Sequence, residues 1–415
     1  MYYQESDNRV RVIAPTVLYE MTTDADLTIK VDCIFNSISG ATPTGAPLQT
    51  SVQSSGAGIG VSSLSGASQF FEPDSGASPV AEDSTSGASP GGGGGNGEVE
   101  DEREGEREDG DHRARYTGAS PVSAPETGTV DTGLPMTEVS ETRVGLSLEF
   151  AKRLGSHTPA VQLSYSTEKD YESMGIALRD SIDFNQKNTT LLTGVAYTYD
   201  TIKIPSLFTL DGVSGASPTK QTVEAMLGVT QVLGQRTLMT LNGTVSRADG
   251  FMSDPYKVAL IDELLVPEKR PDSRDKRIVY VSLLRFIEML KAGIEFNYRW
   301  YTDTFGIAAN TFGLEWHQKL GEHFVLRPSV RLYDQSEADF YAERFAGYHE
   351  FYSADYRLSS LQALSYGLKG IWTAKDLFSI DLAVERYNQR GKDGVTPDIV
   401  YPDAMVFTAG VRIWF

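Results

Sequence analysis

Several stretches of this chain place opposite charges within a few residues of each other. Glu168, Asp170 and Glu172 alternate in STEKDYES, and Asp254 and Lys257 share SDPYK. Arg270, Asp272 and Arg274 share KRPDSR, Asp339, Glu343 and Arg344 lie in ADFYAERF, and Asp355 and Arg357 lie in SADYRLS. Groups of this kind can form a constriction or a ligand-binding lid of mixed charge. They can also pair with one another, pinning loops together and capping whatever lies beneath. Loop ion pairs are common and only a minority mark sites, which favours the second reading.

Catalysis has little to build on. The 5 histidines are His112, His157, His317, His323 and His349, and none stands in a triad context or an HExxH spacing. The single cysteine, Cys33, allows no intramolecular disulfide and no multi-cysteine metal site. The acidic run EVEDEREGEREDGD, residues 98–111, lacks the EF-hand spacing and its glycine. The residues therefore predict no enzyme, no cofactor and no metal. The net charge of -19 owes much to that one run, and no basic stripe is present to bind nucleic acid.

The elements that would position these groups follow from hydrophobic period. From Glu141 onward apolar and polar residues alternate. Val144, Leu146, Leu148 and Phe150 oppose Arg143, Ser147 and Glu149, and Ile294, Phe296, Tyr298 and Trp300 oppose Glu295, Asn297 and Arg299. Period two over about ten residues, with aromatics near the ends of the apolar face, is the pattern of tilted membrane strands. It predicts strands near 9–22, 27–39, 141–153, 158–168, 174–184, 190–200, 221–233, 237–248, 278–290, 292–302, 309–319, 324–334, 360–373, 378–388 and 404–415. Residues 278–290 fit an amphipathic helix equally well. The polar faces carry Arg143, Glu149, Arg179, Asp183, Glu295, Arg299, Glu315, Arg331, Asp381, Glu385 and Arg412. Charges of both signs on a lumen wall either line a path for small hydrophilic solutes or knit the interior shut.

Counted back from the C-terminus, connections alternate between long and short, as in bacterial barrels with long outer loops and short periplasmic turns. The expected fold is all-β: a transmembrane, antiparallel up-and-down barrel of about 14–16 strands. Residues 1–40 hold its first strands and 141–415 the remainder. Residues 41–140, rich in Gly, Ser and Pro and then acidic, form a disordered outer loop, because this composition buries too little apolar surface to offset ordering entropy. The start, MYYQESDNRV, shows no basic and apolar leader. With an even strand count this implies a truncated N-terminus and a further strand whose tail is Met1–Gln4. The turn Asn185–Thr190 (NQKNTT) reads as self-satisfied hydrogen bonding, the alternative being contact with a periplasmic partner.

The final strand, VFTAGVRIWF, ends on the aromatic Phe415, which resembles the signal read by the barrel assembly machinery. The chain as a whole resembles a family of bacterial outer-membrane β-barrel proteins known as a conserved domain of unknown function. The resemblance rests on Tyr3–Ser6, Ile38–Pro47, Ser166–Ser173, Asn185–Thr190, Ser253–Lys257, Arg270–Asp272, Ala338–Tyr341, Tyr352–Ser359 and Trp414–Phe415. Phe35–Ser37 and residues 48–117 stand as extra sequence against the family pattern. The resemblance implies an integral place in the outer membrane, surrounded by its lipid, of a Gram-negative cell envelope. It brings no activity. Family members occur beside flavin-transferring and thioredoxin-like proteins, which implies envelope redox partners. Two functions follow: a porin-like channel or transport pore for small hydrophilic solutes, or a non-conducting barrel that docks periplasmic or envelope redox partners.

Overall fold

The computed structural model describes residues 1–6, 9–47, 134–204, 218–374 and 377–414. The expected disordered loop, residues 48–133 of it, and the terminal Phe415 lie outside the described residues.

In chain order the strands are β1 (Tyr2–Glu5), β2 (Val10–Ile13), β3 (Thr16–Thr22), β4 (Leu27–Pro43), β5 (Met136–Lys152), β6 (His157–Thr167), β7 (Tyr171–Phe184), β8 (Thr189–Ile202), β9 (Thr219–Gly234) and β10 (Thr237–Gly250). They continue as β11 (Val258–Ile261), β12 (Leu264–Pro267), β13 (Ser273–Ile287), β14 (Ala292–Asp303), β15 (Ala308–Leu320), β16 (Phe324–Gln335), β17 (Arg344–Phe345), β18 (Leu361–Ala374), β19 (Phe378–Gly391) and β20 (Asp403–Ile413). Strands β11, β12 and β17 form a separate three-stranded sheet in the loops, and the other 17 make one sheet. That sheet closes, because β1 pairs antiparallel with both β2 and β20. Strands β2 and β3 lie on β4 in a single register, with Ile13 opposite Ser37 and Thr16 opposite Ile34. Pro15, which has no N–H to give the ladder, divides them. Counted as one stave, they bring the 17 strands of the closed sheet to sixteen. Where β1 stands between β2 and β20, closure gives each strand a neighbour on both sides, which is what permits strands in hydrocarbon.

The stretch 278–290 resolves as strand: β13 runs from Ser273 to Ile287, with a single 3-10 turn at Glu288–Leu290. The extra residues Phe35–Ser37 lie inside β4 without a bulge, since β4 keeps one register with β5 from Leu27 opposite Lys152 to Pro43 opposite Met136. Residues 41–43 and 136–140, assigned by sequence to the loop, are the ends of these two strands, carried on by their ladder. Tyr2 pairs with Phe407, partway down β20, and β1 climbs from there to the mouth.

One end of the barrel has only short turns: 23–26, 153–156, 185–188, 235–236, 288–291 and 321–323. The turn at 185–188 is tight, with Asn185, Gln186 and Lys187 all at positive φ. The other end carries 44–135, 203–218, 251–272, 336–360 and 392–402, together with the short links 6–9, 168–170 and 304–307. Length is permitted at this end without being required.

Outward residues are apolar and exposed, among them Leu146, Ile176, Leu178, Val195, Leu283, Phe296, Leu314, Leu332 and Leu382. Aromatics band both ends, as a bilayer interface favours. Tyr165, Tyr197, Tyr199 and Trp300 stand outward near the loops. Phe184 and Trp372 stand outward near the turns, and Trp372 packs edge-on against Phe378 at 5.5 Å. Three apolar clusters form among the described residues, all in the loop-end half. The largest joins Tyr301, Phe305, Ile307, Tyr333, Leu358, Leu361 and Tyr401. A second joins Tyr3, Val10, Val12 and Ile38, and a third Ile202, Ile204 and Tyr256. The barrel is thus capped at the loop end by packed side chains.

Candidate functional site

The loops 251–272 and 336–360 meet over the mouth through a buried ionic cluster. Asp355 opens the 3-10 turn Tyr356–Leu358, and its side chain accepts the Arg357 N–H at 3.2 Å. This is the local bond that Asp makes readily at such a start. The Arg357 guanidinium folds back onto the same carboxylate at 2.5 Å and reaches Asp254 at 2.9 Å. Arg270 spans Asp355 at 2.8 Å and Glu268 at 2.7 Å. Glu268 also accepts from Ser353 Oγ and from the Asp254 N–H, each at 2.5 Å. Lys257 is buried and donates to the Pro43 carbonyl at 2.5 Å, tying loop 251–272 to the end of β4.

The environment moves these groups in different directions. Burial alone would raise the Asp355 carboxyl, but Arg357, Lys257 and Arg270 together hold it well below the usual carboxylate range. Burial raises Glu268 despite Arg270 beside it. Burial also depresses the Lys257 ammonium, with Asp355 opposing. Paired and hydrogen-bonded, the cluster acts as a rigid clasp between two loops. Breaking one partner would leave a buried charge uncompensated.

Of the loop residues singled out by sequence, Asp254, Lys257, Arg270, Asp355 and Arg357 come together here. Glu268 and Ser353 complete the cluster and were missed. The one signal for Glu268 was its place two residues before Arg270. Glu168 and Asp170 lie elsewhere on the rim, beside Arg143 and with Glu141, a buried residue that sequence reasoning also missed. Arg274 pairs with Asp303 at 2.5 Å and lies over the Phe305 ring at 4.5 Å. Glu172 accepts from Tyr165 on the outer surface at 3.0 Å. Asp272 is exposed. Asp339 and Arg344 line a cavity of about 680 Å³ on the outer face of the cap, with Phe340, Tyr341, Phe345 and His349.

The wall below the cap is polar. Glu149 pairs with Arg179 across β6. Glu315 meets Arg327 at 2.6 Å and His317 at 3.5 Å, and Lys369 meets Asp381 at 2.9 Å. Ser282 donates to Glu295 at 2.9 Å and Thr190 to Asp183 at 2.9 Å. The paired side chains keep between 15% (Glu149) and 35% (Lys369) of their surface exposed. Register places Arg299, Arg331, Glu385 and Arg412 on the same face as these pairs.

A family profile described as a protein of unknown function (DUF3570) matches residues 1–400. The chain belongs to this family. No curated protein matches it. Among solved structures, this DUF3570 barrel is similar to the siderophore receptor PirA of Pseudomonas aeruginosa, at 8% identity and a TM-score of 0.43 over 99% of this chain and 58% of that one. It is also similar to the FrpB iron transporter of Neisseria meningitidis (F5-1 variant), at 10% identity and a TM-score of 0.45 over 99% and 59%. The copper transporter OprC aligns at 8% identity and a TM-score of 0.42 over 100% and 58%. The DUF3570 chain thus spans less than two thirds of the length of each. At these values the likeness has no bearing on substrate or mechanism.

Proposed function

We propose that the chain is an integral outer-membrane transport barrel for small hydrophilic solutes, gated at its outer mouth by the folded cap. The observation that carries this reading is the contrast along the axis. Apolar clusters fill the loop-end half, whereas the wall below presents charged side chains that remain partly exposed. A polar, hydrated wall fits a solute path, and sixteen-strand barrels are wide enough to leave an aqueous lumen. The exposed apolar outer face with aromatic bands at both ends supports a bilayer setting. Lipid and the barrel assembly machinery are the partners such a placement requires.

A second reading is favoured by the cap itself. The buried clasp of Glu268, Arg270, Asp355 and Arg357 and the apolar cluster beneath it suit a mouth that stays shut. A barrel of that kind would serve as a scaffold for periplasmic or envelope redox partners.

Single-channel recording of the purified barrel in a planar bilayer separates the two. Transport predicts discrete openings, and Arg331→Glu on the wall alters their ion preference. A folded barrel that stays silent, even after Arg270→Ala loosens the clasp, would overturn the transport reading in favour of the scaffold.

A further inference from the structure

The cavity of about 680 Å³ on the outer face of the cap lies where three connections meet. Pro271 comes from loop 251–272, Thr304 from the link 304–307, and the rest of the lining from loop 336–360. Four of its side chains are aromatic: Phe340, Tyr341, Phe345 and Phe351, all half-buried. They are held in place. Phe340 packs edge-on against Phe305 of the largest apolar cluster at 4.9 Å. The Tyr341 hydroxyl is bonded to Thr396 Oγ1 at 2.5 Å, and Phe345 packs against His349 and Tyr352 at 5.0 and 6.0 Å. Asp262 accepts the Gly347 N–H at 3.0 Å, which fixes the bend between Phe345 and His349. A lining that is already ordered loses little entropy when something binds to it.

Two charged groups of the same lining are left without protein partners. The Asp339 carboxylate and the Arg344 guanidinium have no hydrogen bond or ion pair among the described residues. In the clasp, by contrast, Asp254, Glu268, Arg270, Asp355 and Arg357 satisfy one another. A glycine makes room for Asp339. Its Oδ1 lies 2.2 Å from where a Cβ at Gly306 would stand, and Gly306 sits at φ +88°. Any other residue at 306 would displace the carboxylate.

These two groups ask opposite things of a ligand. A carboxylate only accepts hydrogen bonds, and a guanidinium only donates them. A hydroxyl does both, so a row of hydroxyls can serve the two at once. The aromatic side chains call for an apolar surface beside those hydroxyls, and the negative face of a ring attracts polarised C–H groups. A pyranose has this combination, with C–H groups on its faces and hydroxyls round its edge. The volume falls within the usual range of small-molecule pockets, about 300–1,000 Å³, and has room for a disaccharide.

We propose that this cavity is a binding site for a small neutral saccharide, with Asp339 and Arg344 on its hydroxyls and the aromatic side chains of loop 336–360 against its ring faces. As the solute class of a transport barrel, this rests on the transport reading. As a binding site it does not, and a silent barrel would still hold the sugar.

The test is saturation-transfer NMR on the full chain, purified in an amine-oxide detergent that carries no sugar headgroup. The probes are glucose, galactose, N-acetylglucosamine, maltose, lactose and sucrose. At least one should show saturable transfer to its ring C–H protons. Arg344→Gln and Asp339→Asn should each weaken that binding about tenfold or more, because a hydrogen bond to a charged group is lost. Glu337→Gln, in the same loop but outside the cavity, should leave it unchanged. Heat-modifiable electrophoretic mobility checks that each variant is a folded barrel. Three results overturn the proposal. One is a folded, unmutated chain that shows no transfer to any of these sugars. Another is transfer that survives unchanged in both cavity variants, which would place the sugar elsewhere. The third is transfer to zwitterionic phenylalanine alone, which would mean that Asp339 and Arg344 take a charged ligand. Channel openings without sugar binding would remove this site and leave the transport reading standing, and sugar binding to a silent barrel would do the reverse.

Discussion

Asp355 shows how much of the cap depends on single side chains. It is buried against Arg357, Arg270 and Lys257, and it also starts the turn that carries Arg357. Asp355→Ala removes the anion and leaves two guanidiniums facing each other, a change that costs about 3–5 kcal/mol when a buried pair loses one member. Limited proteolysis of loop 336–360 should detect it as faster cleavage with the barrel intact. The pH dependence has a definite sign. The folded Asp355 carboxyl lies far below its unfolded value of about 3.9, so its contribution is complete above that value. As the pH falls below about 4 the unfolded chain gains a proton that the folded one refuses, and stability declines toward the depressed folded value. The cap should therefore loosen on acidification through that window, measured by the same proteolysis, and Asp355→Asn should flatten the dependence. The acidic and basic loop residues were legible in the sequence as a set, but their convergence was not. Asp254 and Arg357 lie 103 residues apart, and no local spacing encodes which loop folds over which. Glu268 escaped notice because a lone glutamate in a loop looks like any solvated charge.

At the level of the strand, alternation carried nearly all the information, because one face of the wall is apolar and the other is polar. Phe296 and Trp300 outward with Glu295 and Arg299 inward is a pattern that few other environments would produce. It failed to decide only at 278–290, where Val279, Leu283 and Phe286 fit a helix and Val279, Val281 and Leu283 fit a strand, and the neighbouring strands settle the matter by pairing with both edges. The same logic predicts unequal outcomes for adjacent substitutions. Leu283→Lys puts a charge on the lipid face and should cost about 2–4 kcal/mol near mid-bilayer, whereas Ser282→Lys, beside Glu295 inside, should cost far less. Urea-induced unfolding in lipid vesicles measures both. Gly40 is a stricter case. Its φ is +135°, and a Cβ there would sit 1.9 Å from the Arg9 carbonyl. Arg9 in turn holds the carbonyls of Ile399 and Val400 at 2.7 and 3.0 Å. Gly40→Ala should thus shift the 6–9 link and free loop 392–402, seen as accelerated hydrogen exchange at 399–401.

For the molecule as a whole, the two ends obey different rules. The turn end is hemmed by links of a few residues, and the loop end accepts links of any length. Sequence captured this asymmetry in outline. It overstated it at 168–170 and 304–307, where a short link joins two strands at the mouth. The cap was not legible, since its apolar members, Tyr301, Tyr333 and Leu361 among them, sit on strand faces that elsewhere are polar. The lumen wall has a consequence of its own. Glu149 with Arg179, Glu315 with Arg327 and Lys369 with Asp381 are each neutral as a pair. A mobile ion alongside them meets small opposed dipoles in place of a field of one sign, and at physiological salt such fields fade within about 8 Å. Under a tenfold potassium chloride gradient the current through such a wall should reverse close to zero millivolts. The barrel would then sort solutes by size and by their passage through the cap, and treat cations and anions nearly alike.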